Sequence, residues 1–187
     1  MPLPNLSSRL HSSFSCLVFA SLMAAAGASQ AFDAFSVEYA RGDETKSLRL
    51  GAQADWGRQW LRGGGTHVRG YWDVSLAQWR GSRFRGQAGR HQDITVLGIT
   101  PVFRWQADAG HGPYLELGVG AHLLSREYDN DNRRLSGHLQ FGSHLGAGYV
   151  FSNGLDLGLN FRHFSNAGIS KPNDGVDLMG FRLAYAF

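Results

Sequence analysis

The sequence has a single cysteine, Cys16, and it sits inside an apolar N-terminal stretch. With none further along, a disulfide framework and thiolate metal ligands are both excluded. Beyond residue 31 no apolar run approaches the ~20 residues that carry a helix across a bilayer, so any membrane crossing must be made by strands. The formal charge is only +3, too small an excess to argue for nucleic acid as a partner. His67, His91, His111, His122, His138 and His144 show no metal-ligand spacing, so neither a metal nor a cofactor is implied.

What is present begins with an export signal. Arg9 precedes an apolar stretch from Phe14 to Ala26, and Ser29-Gln30-Ala31 places small residues where a signal peptidase reads. Cleavage after Ala31 removes one arginine and no acid, leaves residues 32–187 as one domain, and lowers the formal charge to +2.

The remainder alternates apolar and polar residues with a period of two, the mark of strands with two unlike faces. Examples are Leu48, Leu50, Ala52, Ala54 and Trp56 in one run, and Leu115, Leu117, Val119, Ala121 and Leu123 in another. Ile94 to Trp105 is apolar on both faces, and Pro101 within it argues against regular pairing there. Eight such segments are expected, separated by charged or glycine-rich connections: 41–46, Gly57 to Thr66 with its Gly63-Gly64-Gly65 breaker, 81–91, 106–112, 125–137, 152–154 and 166–174. The face opposite the apolar one carries glycine and charge, including Glu116, Asp156, Arg162 and Arg182. That suits the crowded polar interior of a small outer-membrane barrel rather than a dry sandwich core. The expected fold is all-β, an eight-stranded antiparallel transmembrane β-barrel. Short turns mark its periplasmic end and long loops its outer end.

The last hairpin carries the chemistry. Leu155, Leu157, Leu159 and Phe161 share a face with His163 and Ser165, and Met179, Phe181, Leu183, Tyr185 and Phe187 share one with Asp177. With the loop centred near Ser170, His163 lies opposite Asp177, which sets their Cβ atoms roughly 4.5–5.5 Å apart. Serine, histidine and aspartate then cluster on the lipid-facing side at the outer end, where charge gains a structural barrel little. The set is that of an acyl-transfer triad. Asn166 and Gly168, just past the serine, are the expected oxyanion donors.

His163-Phe164-Ser165-Asn166-Ala167-Gly168 matches the H-x-S-N-A-G signature of the outer-membrane lipid A 3-O-deacylases (PagL), and the likeness runs on through Pro172-Asn173-Asp174-Gly175 to Asp177. The resemblance is specific over residues 160–187 and one of architecture upstream. It implies a serine esterase with His163 as base, Ser165 as nucleophile and Asp177 as the acid. It further implies the 3-position acyl chain of lipid A in the outer leaflet as substrate. The family acid is usually glutamate, so Asp177 departs from it by one methylene, with Asp174 as the alternative. Partners are then outer-membrane lipid and lipid A or lipopolysaccharide, with a homodimer as a further candidate. Arg126, Arg133 and Arg134 offer contacts to lipid phosphates, though solvated loop arginines are the favoured account of them. A structural or adhesive barrel, a phospholipase and an acyltransferase share the architecture and remain rivals at this point.

Overall fold

A computed structural model describes residues 32–187; the expected export signal, 1–31, lies outside them. Ten strands follow in chain order: β1 (Ala34–Gly42), β2 (Thr45–Gly63), β3 (Thr66–Gly81), β4 (Gln92–Ala107), β5 (Gly112–Leu124), β6 (Tyr128–Asn130), β7 (Arg133–Leu135), β8 (Leu139–Val150), β9 (Leu155–Ser165) and β10 (Val176–Ala186). Eight close into one antiparallel barrel, β1-β2-β3-β4-β5-β8-β9-β10, and β10 returns to β1. Closure leaves no open sheet edge, the condition for strands in hydrocarbon.

The two faces are inverted relative to a protein that faces water. Leu50, Leu76, Leu117, Leu145 and Leu159 point outward and are 46–61% exposed, while Glu38, Arg49, Asp73, Arg104, Glu116, Asp156, Arg162 and Arg182 point inward at 5% or less. The buried charges are paired. Arg104 donates to Glu116 Oε2 at 2.7 and 2.9 Å and to Asp156 Oδ2 at 2.9 Å. Arg182 reaches Asp156 Oδ2 at 3.0 Å, Arg162 makes two bonds to Glu38, and Arg49 meets Asp73 at 2.6 Å. An interior this crowded is a packed polar core rather than a channel. Strand β4 resolves its two-faced pattern by burying Ile94, Val96 and Val102 and exposing Leu97, Ile99 and Phe103. Its pairing with β5 lapses between Ile99 and Val102, where Pro101 has no N–H to give.

Connections at 43–44, 82–91, 125–138 and 166–175 share one end of the barrel, and those at 64–65, 108–111 and 151–154 the other. The longer set marks the outer end. There the polar interior gives way to an apolar cap that includes Trp79, Ile94, Leu124, Phe164, Val176 and Leu178.

Three connections differ from expectation. The segment 125–137, expected as a solvated loop, contains the β6-β7 hairpin, and Tyr128, Asn130 and Leu135 are buried in it. Its charged residues alternate with these three and hide the period. The segment 41–46 is strand on both sides of a two-residue turn, Asp43-Glu44, with φ of 46° and 53°. Residues 57–63 continue β2 after a bulge between Asp55 and Gln59, and the turn is Gly64-Gly65, with φ of 60° and 78°. Two successive positive φ values are what a tight hairpin turn needs, so the glycine run closes a long hairpin instead of ending one.

Candidate active site

Strand β9 delivers its outer end by alternation. Phe164 points inward into the apolar cap, edge-on to Trp79 at 4.7 Å and to His122 at 5.1 Å between ring centroids. Its neighbours His163 and Ser165 therefore face outward, above Leu159 and Phe161. Across the hairpin the register pairs His163 with Asp177, as the spacing of the two runs predicts. Asp177 Oδ1 lies 2.7 Å from His163 Nδ1, and each side chain is 45% exposed. A carboxylate at Nδ1 holds the proton there and leaves Nε2 free to accept one. Although one methylene shorter than glutamate, Asp177 makes the contact. Ser165 stands two residues along the same face, opposite Phe141 of β8, and its hydroxyl makes no hydrogen bond among the described residues.

Asp174, the alternative acid, does not touch the histidine. Its Oδ2 accepts the Arg134 N–H at 2.8 Å and its own N–H donates to Arg134 C=O at 3.0 Å, tying the 166–175 loop to β7.

Asn166 is 1% exposed and organises that loop. Its Nδ2 donates to Ser136 C=O and to the C=O and Oγ of Ser170, at 2.9–3.0 Å. Its Oδ1 accepts the Gly168 N–H at 3.0 Å, and its N–H donates to Asn173 Oδ1 at 2.9 Å. The Asn166 and Gly168 N–H groups, both expected as oxyanion donors, are thus engaged by side chains in this arrangement. Between them Ala167 adopts φ of 54° and Gly168 of 81°, and the Ala167 N–H has no acceptor among the described residues.

Residues beyond the expected triad and oxyanion donors complete the surroundings. Gly175, at φ of 76°, lies against the imidazole, and a Cβ there would sit 2.8 Å from His163 Cε1. Asp43, in the β1-β2 turn, accepts the Asp177 N–H through Oδ2 at 2.7 Å and takes Arg133 Nε on Oδ1 at 3.3 Å. Arg133 also donates to the carbonyls of Asp174 and Gly175. The turn is held in place by β6, since Tyr128 donates from its hydroxyl to Asp43 C=O at 3.1 Å and Asn130 Nδ2 donates to the same oxygen at 3.2 Å. Burial pushes the Tyr128 phenol up from its ordinary value, so it remains a protonated donor at neutral pH. The D-G pair at 174–175 was a turn signal; nothing in the sequence ties Asp43 to a residue 134 positions away.

Comparison with known proteins bears on the chain as a whole. The family model described as lipid A 3-O-deacylase (PagL) matches residues 46–186. Lipid A deacylase PagL of Pseudomonas aeruginosa is 34% identical over 149 residues, which cover 79% of this chain and 82% of that protein. The protein of the same name from Bordetella bronchiseptica is 39% identical over 87 residues, covering 46% of this chain and 47% of its own length. A crystal structure of the outer-membrane enzyme PagL superimposes with a TM-score of 0.71 at 27% identity, covering 82% of this chain and 99% of that one. From the match along the barrel and the likeness of fold, the chain belongs to the lipid A 3-O-deacylase (PagL) family.

Proposed function

We propose that this chain removes the ester-linked 3-hydroxyacyl chain from the 3-position of lipid A in the outer leaflet, with Ser165, His163 and Asp177 as its catalytic triad. The observation that carries the triad is the 2.7 Å bond from His163 Nδ1 to Asp177 on an outward face shared with Ser165. Ser165 Oγ attacks the ester carbonyl while His163 Nε2 takes its proton, and Asp177 favours the imidazolium that forms. The tetrahedral oxyanion is met by backbone N–H groups just past the nucleophile. Ala167 N–H is available at rest, and Gly168 N–H becomes so when it releases Asn166 Oδ1. Collapse breaks the bond to the sugar 3-oxygen, which leaves with the proton from His163. Water, deprotonated by the same nitrogen, then splits the acyl-serine and frees a 3-hydroxy fatty acid.

The contact between Ser165 and His163 forms when substrate arrives, as catalytic hydrogen bonds often tighten only in the complex. The site needs no deep pocket, because the acyl chains stay in the leaflet against Leu159, Phe161 and Met179, which are 45–66% exposed. A structural barrel gains nothing from such an arrangement.

A serine-directed sulfonyl fluoride tests the nucleophile. Peptide mass spectrometry is expected to find the adduct on Ser165, with turnover lost in proportion, and little adduct in His163→Ala. Full turnover of enzyme labelled at Ser165, or inactivation through another residue, would contradict the assignment.

A further inference from the structure

The outer rim beside the site carries a row of like charges that the fold alone does not explain. Arg41 on β1 pairs directly with Lys46 on β2, and Lys46 pairs directly with Arg80 on β3. All three side chains are exposed on the lipid-facing side. Like charges directly opposite on one sheet face destabilise it, and cations on the lipid face gain nothing near the interface. Little nearby compensates them. Arg80 has only a loose ion pair with Asp93, at 3.9 Å, and among the described residues Arg41 and Lys46 have no acid within 4.0 Å. The two acids of the adjoining turn are committed elsewhere: Asp43 to Arg133 and the Asp177 N–H, and Glu44 to the Ser82 hydroxyl at 2.8 Å. The three cations border a surface cavity of about 360 Å³ that Ser82, His91 and the two turn acids, Asp43 and Glu44, also line.

The row begins beside the triad. Arg41 pairs across β10 with Met179, which stands two residues from Asp177 on the same outward face. Asp177 is thus one strand spacing across and two residues along from Arg41, roughly 8 Å, and Ser165 two strands across and four residues along, roughly 17 Å, a span that the arginine side chain and a glycolipid headgroup cover together. Of the arginines that the sequence offers for lipid phosphates, Arg133 is spent on Asp43 and on two loop carbonyls, and Arg126 and Arg134 lie in the 125–138 connection rather than on a membrane-facing strand.

We infer that Arg41, Lys46 and Arg80 form a phosphate-recognition subsite for the headgroup of an outer-leaflet glycolipid, orienting it so that its acyl ester meets Ser165. The inference rests on the deacylase reading above and adds the group that sets the substrate's direction. A phosphate anion removes the mutual repulsion and accepts charge-assisted hydrogen bonds from neighbouring strands. A leaflet lipid supplies it at the right depth.

The test compares wild type with the triple variant Arg41→Gln/Lys46→Gln/Arg80→Gln in detergent micelles. One substrate is phosphorylated lipid A; the other is the same lipid stripped of its phosphates. Wild type is expected to prefer the phosphorylated lipid roughly tenfold in kcat/KM, and the triple variant to lose that preference. The same comparison of affinities in a Ser165→Ala background reads the subsite without turnover, so a failure of the deacylase reading leaves this test standing. A preference that survives in the triple variant, or a loss equal on both lipids, overturns the subsite. Millimolar inorganic phosphate separates the two sources of the anion. It is expected to leave wild-type turnover within about twofold, since a solute competes poorly with a phosphate anchored in the same leaflet. Phosphate inhibition that the triple variant escapes would assign the row to a soluble anion and overturn the lipid assignment.

Discussion

At the scale of single residues, the proposed catalytic geometry depends on an atom that is missing. Gly175 supplies a positive φ that L side chains rarely adopt, and the space where its Cβ would stand is filled by the edge of the His163 ring. Gly175→Ala therefore strains the backbone by on the order of 1 kcal/mol and pushes the imidazole away from the position that the proposed mechanism gives it. The expected outcome is a fall in kcat of tenfold or more, because a displacement near 1 Å at the reacting centre costs up to about 10²-fold. KM and the unfolding midpoint should move little, and steady-state kinetics beside a guanidinium titration will show it. Asn166 makes the complementary point. Its amide and carbonyl are both spent inside the loop, so on the proposed reading its part is to shape the backbone past Ser165.

Among elements, the site is a hairpin end held by two others. The β9-β10 register places His163 opposite Asp177; the β1-β2 turn and the β6-β7 hairpin then fix the acid's backbone through Asp43 and Arg133. Asp43→Ala removes the acceptor of the Asp177 N–H without touching any reacting atom. It is expected to lower kcat about tenfold with KM within twofold, and Asp43→Asn, which keeps an acceptor oxygen, to recover most of the loss. Equal losses in both variants would mean that the turn matters only for folding.

The hairpin was legible in the sequence because its alternation is unbroken on both sides of one loop. Positions summing to 340 pair from His163↔Asp177 to Tyr185↔Leu155. The same alternation exposed the apolar outer face and the charged lumen. What escaped was nonlocal or masked. Tyr128, Asn130 and Leu135 are three buried residues among charges, and no short-range signal announces that a loop folds back over a barrel mouth. The contact of Asp43 with Asp177 joins the first turn to the last strand, and only closure of the barrel creates it. Asp43-Glu44 and Gly64-Gly65 are turns of only two residues, and the charged or glycine-rich residues on either side of them, Arg41 and Lys46 included, mask the strand ends.

For the molecule as a whole, stability and function use opposite faces of one wall. Inside, Arg104 bridges Glu116 and Asp156, and all three are at most 5% exposed. Arg104→Leu leaves two buried carboxylates undercompensated, which is expected to cost about 3–5 kcal/mol in unfolding free energy, measured by guanidinium denaturation in micelles. Any protein that still folds should keep its triad geometry, because the network lies in the barrel lumen and the triad on the outer wall. Outside, apolar strands hold the barrel in the outer membrane, and the same outward face carries His163, Ser165 and Asp177. On the proposed reading the wall itself is the substrate-binding surface.

The measurement that tests this account most directly is mass spectrometry of lipid A from cells that make the wild-type chain or Ser165→Ala, with both proteins shown to be folded in the outer membrane. The account requires lipid A from the wild type to lack one 3-hydroxyacyl group, and lipid A from Ser165→Ala to keep it. Loss of the same acyl group with Ser165→Ala, or intact lipid A in both strains, would contradict it.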